Sequence, residues 1–553
     1  MRKLLLFTLL LGLFSLSSAQ DVYKFAVKFT DKTNTPFSID KPEEFLSQRS
    51  ISRRARAYVE YTEEDLPIDP AYIAQVLATT SDAKLIIQVK WMNTIIISLS
   101  DSNHIIGINN LPIVEKSEMV FNFNLKKNNI KKLEQVERVI QNVNYHKESR
   151  AYDSAFYGGA WVQTHQLNVE KMHERGYRGQ GKVIAVLDAG FISADTLQIF
   201  ENLWANEQIL GTYNFVSPGQ TVFASHSHGT SVLSTMGGYW EGSLVGTAPD
   251  ASYWLLRTED GASENIIEEY NWVAGAAFAD SVGADVLNTS LGYIDFDDAR
   301  FDHNYEDLDG DKTVITRGAN MAYRKGMLPV NSAGNSGSNS WRYLGAPADA
   351  TEILTIGAVN GDEVIASFSS HGFPWSDDVK PDIVARGQGT YVASAYQNAV
   401  GQGNGTSFSS PVSAGAVASL WSVNPNLSPY WIRLAIQQSA DRFLSPDTLY
   451  GYGLPNFEQA MNILGVNNQS PDNNIIKLFP NPVHSILYLN INIEQNTSFS
   501  LSIIDMQGRE LLEKEMNYSG SQLAIDLTNY PSGIYILETK INGRTNRIKI
   551  NKL

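Results

Sequence analysis

Three residues, far apart in the chain, each stand where a reactive side chain would be held still. Asp188 ends the apolar run Val183-Ile-Ala-Val-Leu187 and is followed by Ala-Gly-Phe. His228 stands in Ser225-His-Ser-His-Gly-Thr-Ser-Val232, ahead of the small, apolar Val232-Leu-Ser-Thr-Met-Gly-Gly238. Ser407 stands in Asn404-Gly-Thr-Ser-Phe-Ser-Ser-Pro411, ahead of Val412-Ser-Ala-Gly-Ala-Val-Ala-Ser-Leu420, whose short side chains predict a tightly packed helix. A serine hydroxyl is a weak nucleophile unless a base touches it, and that base needs a carboxylate to orient it. Aspartate, histidine and serine supply these parts. A serine at the amino end of a buried helix also lies near the positive end of the helix dipole, which favours developing negative charge. Singly, each residue has a plainer use. Asp188 suits a turn or cap, His228 is one of nine histidines with His226 as a rival, and Ser407 suits an N-cap. The helix is expected to begin after His228, leaving His226 in a loop, and Pro411 suits a first helical turn.

The elements that must position these residues are legible around them. Val183–Leu187 is a continuous apolar run, as expected of a parallel strand covered on both faces. Ala284–Asn288, Met327–Val330 and Ile353–Val359 repeat the pattern, with helical stretches at Asn265 to Ser281 and Lys312 to Gly326. Strand–helix alternation over this length predicts a doubly wound α/β fold with a parallel sheet. Such folds place ligand sites at the carboxyl ends of their strands, where Asp188 falls.

The three segments together resemble the active-site signatures of the subtilisin-like serine proteases (subtilases, peptidase family S8). The matching phrases are Val186-Leu-Asp-Ala-Gly190, His228-Gly-Thr230 and Gly405-Thr-Ser-Phe-Ser-Ser-Pro411, in that family's order Asp, His, Ser. Further similar phrases are Asn288-Thr-Ser-Leu-Gly292, Val330-Asn-Ser-Ala-Gly-Asn335, Ser367–Gly372, Lys380–Val384 and Gly451–Asn456. The resemblance implies that Ser407 attacks the scissile carbonyl, His228 moves the proton and Asp188 holds the imidazole. It implies that Asn335 donates to the oxyanion, although Asn335 also suits a turn in Gly334-Asn-Ser-Gly337. Asparagine here is unlike the related sedolisins, which have aspartate at this place and glutamate for the histidine. Ser290, Leu291 and Gly292, with Ser332, Ala333 and Gly334, are implied to line the S1 pocket and pair with an extended substrate backbone. Ser231, Ala189 and the pair Phe408-Ser409 depart from common family residues. They bear on subfamily and specificity, and remove no catalytic atom.

Charge divides the chain into blocks. The whole of 553 residues has a net charge of −16. Residues 20–150 hold about 18 basic and 17 acidic side chains, residues 151–470 about 15 and 34, and residues 471–553 about 8 of each. The acidic middle block argues against nucleic acid and anionic membranes as partners. The chain has no cysteine, which excludes disulfides, thiolate metal sites and a cysteine nucleophile. At 43% hydrophobic and 18% charged residues the chain is globular, with length enough for roughly three to five domains. Eight acidic residues crowd positions 295–311. Among them Asp307, Asp309 and Asp311, in Asp307-Leu-Asp-Gly-Asp311, resemble part of a calcium loop without its distal glutamate. A solvated insertion is the alternative.

The flanks read as delivery and maturation. Residues 1–19 have the form of a signal peptide: Arg2 and Lys3, an apolar stretch Leu4 to Leu16, then Ser17 and Ala19. Residues 20–150 predict a small α+β unit, with strands at Val22–Phe29, Lys84–Val89 and Thr94–Leu99, a helix at Ala71–Thr80, and a polar linker from Lys126 to Arg150. This unit resembles a propeptide. Its near-neutral charge predicts docking by burial, not by ion pairs. Residues 475–553 predict a β-sandwich of short strands. Phe479-Pro-Asn-Pro-Val483, Asp505-Met-Gln-Gly-Arg509 and Pro531-Ser-Gly-Ile-Tyr535 resemble the type A sorting domain of the type IX secretion system.

The expected organisation is therefore a signal peptide at 1–19, a propeptide-like region and linker at 20–150, a subtilisin-like domain at 151–466 and a sorting domain at 475–553. The expected function is a secreted or surface serine endopeptidase of a Gram-negative bacterium. It needs no catalytic cofactor, and structural calcium is the one metal considered. Its expected partners are protein substrates, its own propeptide and the type IX machinery, with no transmembrane span in the mature protein. The alternative is a catalytically silent subtilase fold used for surface binding. A nucleophile-elbow acyl hydrolase is excluded, because Ser407 lacks the Gly-x-Ser-x-Gly pattern and the residue order is wrong.

Overall fold

The structure, a computed structural model, describes residues 23–57, 59–123, 152–464, 476–491, 497–505, 509–518, 522–541 and 544–553. The signal-peptide segment and the linker 126–150 lie outside the described residues. The chain divides into two compact units, Met1–Met461 and Asn462–Leu553.

The first unit opens with an antiparallel sheet of β1 (Tyr23–Phe29), β2 (Lys84–Val89), β3 (Thr94–Leu99) and β4 (Val114–Asn122), in the order β2-β3-β1-β4. Helices α1 (Gln48–Arg56) and α2 (Pro70–Ala78) lie between β1 and β2. Strand alternation sends Phe25, Val27, Ile95 and Ile97 to one face, where they pack with Ile73 and Val76 of α2. Ala26, Ile87, Val89, Ile96 and Val120 go to the other face and join a second, larger core.

That core belongs to a seven-stranded sheet, all of whose pairings are parallel. Its strands are β5 (Val183–Asp188), β6 (Ile209–Asn214), β7 (Ser252–Arg257), β8 (Val286–Thr289), β9 (Leu328–Ser332), β10 (Leu354–Val359) and β11 (Ile383–Arg386), in the order β11-β10-β9-β8-β5-β7-β6. Every residue of β5, β8, β9 and β10 is buried, as the unbroken apolar runs required. Helices α4 (Ile267–Val282) and α5 (Val314–Arg324) bring Trp272, Ala276, Ile315 and Ala319 against Val183, Ala185 and Leu187. Ile184 and Val186 alternate to the opposite face. That face is covered by α3 (His228–Gly237) and α6 (Thr406–Val423), which pack on β5 and on each other. The doubly wound arrangement is as predicted. Sequence patterning missed three strands of this sheet: the half-buried edge strand β6, the interior β7 and the other edge strand β11.

The expectation that the amino-terminal sheet docks by burial alone needs correction. Its apolar face is buried against α4, and a network of ion pairs surrounds that face. Arg53 and Arg54 of α1 both bind the Asp280 carboxylate of α4, Arg54 at 2.6 Å. Arg54 also holds Asp65 at 2.7 Å, and Lys325 reaches the same Asp65 at 3.0 Å. Arg49 pairs with Asp285. Net charge could not reveal this, because a block near neutrality can still concentrate its arginines on one helix. Burial would raise the Asp65 carboxyl, but the hydrogen bond and charge of Arg54, with Lys325, outweigh it and hold the group at about 2. Asp280 is lowered as well, burial being overcome by Arg54 and Arg53.

The second unit holds β12 (Ile476–Phe479), β13 (Ile486–Ile491), β14 (Ser498–Asp505), β15 (Glu510–Asn517), β16 (Leu523–Asp526), β17 (Gly533–Ile541) and β18 (Arg544–Lys552). They form two antiparallel sheets, β12-β13-β16 and β15-β14-β17-β18. Leu487 and Leu489 from one sheet and Leu501, Ile503 and Leu537 from the other share one core, so the unit is a β-sandwich. The strand β15 had no sequence signal because it is a polar, mostly exposed edge.

The arginine network generates two expectations. Asp280→Ala strands Arg53 and Arg54 as buried charges and should cost about 3–5 kcal/mol. Thermal unfolding of the full chain carrying Ser407→Ala checks this, and an unchanged midpoint contradicts it. A carboxylate lowered by folding contributes stability above its unfolded value near 4, and that contribution is lost as pH falls toward 2. The amino-terminal sheet should therefore loosen in that acid window, read as new proteolytic sensitivity of residues 23–123.

Candidate active site

The carboxyl end of β5 and the amino ends of α3 and α6 meet at one place. Asp188 is the last residue of β5 and is fully buried. Its Oδ1 accepts from the Ala189 N–H at 2.7 Å, and its carbonyl accepts from the Thr258 N–H at 3.0 Å. His228 opens α3 and is 3% exposed. The helix thus starts at His228 itself, one residue earlier than expected. His228 Nδ1 lies 2.9 and 3.0 Å from the two Asp188 oxygens. A carboxylate can only accept, so Nδ1 carries the proton in this pair, and Nε2 is the atom able to take another. His226 is excluded from that role: it sits in the loop, where its Nδ1 accepts from the His228 N–H at 3.1 Å.

The approach of α3 to β5 depends on two glycines. A Cβ at Gly190 would lie 2.5 Å from the His226 nitrogen, and one at Gly229 would lie 2.5 Å from the Gly190 carbonyl oxygen. Backbone touches backbone here, and a side chain at either position would push the histidine away from the aspartate.

Ser407 is the second residue of α6 and is 6% exposed. Its N–H is one of the first four amides, which a helix leaves without a partner of its own. Its Oγ donates to the Ser290 carbonyl at 3.3 Å, and Ser290 Oγ donates to the Ser407 carbonyl at 3.0 Å. The adjacent Phe408 ring lies 6.2 Å from the His228 ring, so the serine's turn of helix stands beside the histidine. Asn335 is tied to the same turn. Its Oδ1 accepts from both the N–H and the Oγ of Thr406, at 2.9 and 3.0 Å. Because a backbone N–H can only donate, the oxygen of the Asn335 amide faces Thr406 and the NH₂ end is turned elsewhere. Thr406 Oγ1 also accepts from the Gly334 N–H at 3.1 Å. Thr406 is therefore a site residue that sequence reasoning passed over, although it lies inside the Gly-Thr-Ser phrase.

Ser290 and Leu291 are buried just beyond β8, with Gly292 exposed after them. Ser332 ends β9, with buried Ala333 and half-buried Gly334 after it. These two segments flank the amino end of α6, to which Ser290 and Gly334 are both hydrogen-bonded.

One sequence reading changes. Pro411 does not lie in the first turn: α6 starts at Thr406, so the proline stands inside the helix. The aspartates of the expected calcium loop each close a local contact. Asp307 pairs with Lys312 at 2.5 Å, Asp309 Oδ1 accepts from the Asp311 N–H at 3.0 Å, and Asp311 accepts from Asn320 at 3.3 Å. Among the described residues, the carboxylates close enough together to share a cation are Glu259, Glu264 and Glu268, all buried.

A doubly wound α/β domain with a buried aspartate–histidine pair beside a helix-borne serine has the parts of a serine hydrolase. The comparisons narrow this. Residues 179–453 match the Subtilase family, residues 24–147 the Peptidase S8 propeptide domain of Bacteroidota, and residues 477–552 the Secretion system C-terminal sorting domain. Subtilisin BL of Lederbergia lenta is 30% identical over 292 residues, covering 52% of this chain and 93% of its own length. Subtilisin DY of Bacillus licheniformis is 28% identical over 299 residues, covering 53% and 96%. Subtilisin E of Bacillus subtilis (strain 168) is 29% identical over 302 residues, covering 53% and 69%. The chain belongs to the subtilase family. It is a subtilisin-like serine endopeptidase with an amino-terminal propeptide and a carboxyl-terminal sorting domain. No helix among the described residues is long and apolar enough to cross a membrane.

The glycine contacts generate a test. Gly229→Ala should separate His228 from Asp188 and lower peptidase activity at least tenfold, about one hydrogen bond's worth of positioning. Circular dichroism should stay unchanged. Full activity in a folded Gly229→Ala protein contradicts the close-approach argument.

Proposed function

We propose that this protein is an exported endopeptidase in which Ser407 is the nucleophile, His228 the general base and acid, Asp188 the orienting carboxylate and Asn335 the oxyanion donor. The observation that carries the reading is the buried Asp188–His228 pair, both carboxylate oxygens within 3.0 Å of Nδ1, standing beside the amino end of the helix that bears Ser407. His228 Nε2 takes the proton as Ser407 Oγ bonds to the scissile carbonyl carbon. Asp188 stabilises the imidazolium that results. Negative charge gathers on the former carbonyl oxygen, where the Asn335 NH₂ and the Ser407 N–H donate to it. His228 then gives its proton to the leaving amine, and the acyl group stays on Ser407. Water, deprotonated by the same histidine, releases the acid and restores the serine. No step calls for a cofactor. Ser290–Gly292 and Ser332–Gly334 would line the S1 pocket and pair through their backbones with the substrate as an added strand. Residues 20–150 act as propeptide and linker and are released by a cleavage that starts the mature chain between about 120 and 160. The carboxyl-terminal sandwich directs passage through the type IX system to the cell surface or medium.

A fluorophosphonate probe should label purified mature protein and leave Ser407→Ala unlabelled. Absence of label on folded, processed wild type overturns the nucleophile assignment. Asn335→Ala should lower kcat by about 10²–10³ with little change in KM, a magnitude that comes from a subtilisin. Deleting residues 475–553 should leave the protein in the periplasm. Undiminished release of the truncated chain contradicts the sorting role.

A further inference from the structure

The amino end of α6 carries a defect that Ser290 repairs. In an α-helix the carbonyl of one residue accepts from the N–H four residues on. For Ser407 that residue is Pro411, which has no N–H. Both residues are buried, and a buried carbonyl without a donor costs about as much as a lost hydrogen bond. Ser290 Oγ supplies the donor, at 3.0 Å from the Ser407 carbonyl oxygen. The hydroxyl is itself oriented: Asn288 Nδ2 donates to Ser290 Oγ at 3.4 Å, so the hydroxyl hydrogen is turned toward Ser407. Ser290 comes immediately after β8, whose register is set on both sides by β5 and β9. The first turn of α6 is thus tied to the middle of the sheet through one hydroxyl.

We propose that the Ser290 side chain is a positioning residue for the nucleophile, replacing the helical hydrogen bond that Pro411 removes and setting where Ser407 Oγ and N–H stand. The inference rests on the reading of Ser407 as nucleophile. It goes beyond the substrate-binding role of this segment, which uses the Ser290 backbone. A wall residue would matter whatever stands at position 411. The hydroxyl matters because proline stands there.

The test is a double-mutant cycle in the full chain with Ser290→Ala, Pro411→Ala and both, read as kcat, KM and fluorophosphonate labelling rate. In the proline background Ser290→Ala should lower kcat and labelling about tenfold while KM moves less than about twofold. In the Pro411→Ala background, where residue 411 again offers an N–H, the same change should cost less than about threefold. Ser290→Cys, a weaker donor that keeps the side chain's size, should give an intermediate loss with proline at 411 and serves if the alanine variant does not accumulate. An equal loss in both backgrounds, or an effect on KM alone, overturns the proposal. A wild type that never labels removes the nucleophile reading and this inference with it. A labelled wild type without Ser290–Pro411 coupling removes this inference alone.

Discussion

A carboxylate and an imidazole lie in contact, buried from solvent, and much of the first unit exists to make that arrangement stable. Taking Asp188 out of water is costly unless its oxygens are matched by donors. The matches come from different parts of the chain: the Ala189 N–H, and His228 Nδ1 from a helix that two glycines allow to touch the strand. The fully buried sheet supplies the rigidity. With both faces of β5 covered by helices, the aspartate at its end has no freedom to turn toward solvent. The contact fixes the orientation of the His228 ring.

The second polar concentration of the fold has the same physics and a different consequence. Asp280 is as buried as Asp188, but its partners are Arg53 and Arg54 of the amino-terminal region. Removing that region uncovers a carboxylate whose match was intramolecular. The interface therefore combines an apolar sheet face with a pair of arginines that only a matching acidic helix end can satisfy. Apolar burial gives such a contact its strength, and the buried charges give it selectivity, because a mispaired charge there is penalised.

The elements of the candidate site were legible because they depend on local chemistry. Continuous apolar runs betrayed β5, β9 and β10, and small-residue runs betrayed α3 and α6. Their polar ends singled out Asp188, His228 and Ser407. Strands without a continuous apolar run were not legible, whether interior, as β7, or at a sheet edge. The strands β6 and β15 have one or both faces in water, so no apolar period marks them. Net charge misled where its distribution mattered, at Arg53 and Arg54.

The amino-acid sequence by itself determined the residue types able to react, the strand–helix alternation and the three-part order of the chain, because these depend on local composition and period. The tertiary structure alone decided which atoms meet. Whether Asp188 caps a turn or holds His228, which of two neighbouring histidines faces it, and which end of the Asn335 amide is turned away from Thr406 depend on contacts between segments tens to hundreds of residues apart. The same holds for Pro411. In sequence it reads as a favourable helix start. Only the observed start of α6 at Thr406 makes it a missing donor, and only the fold brings Ser290 to fill the gap.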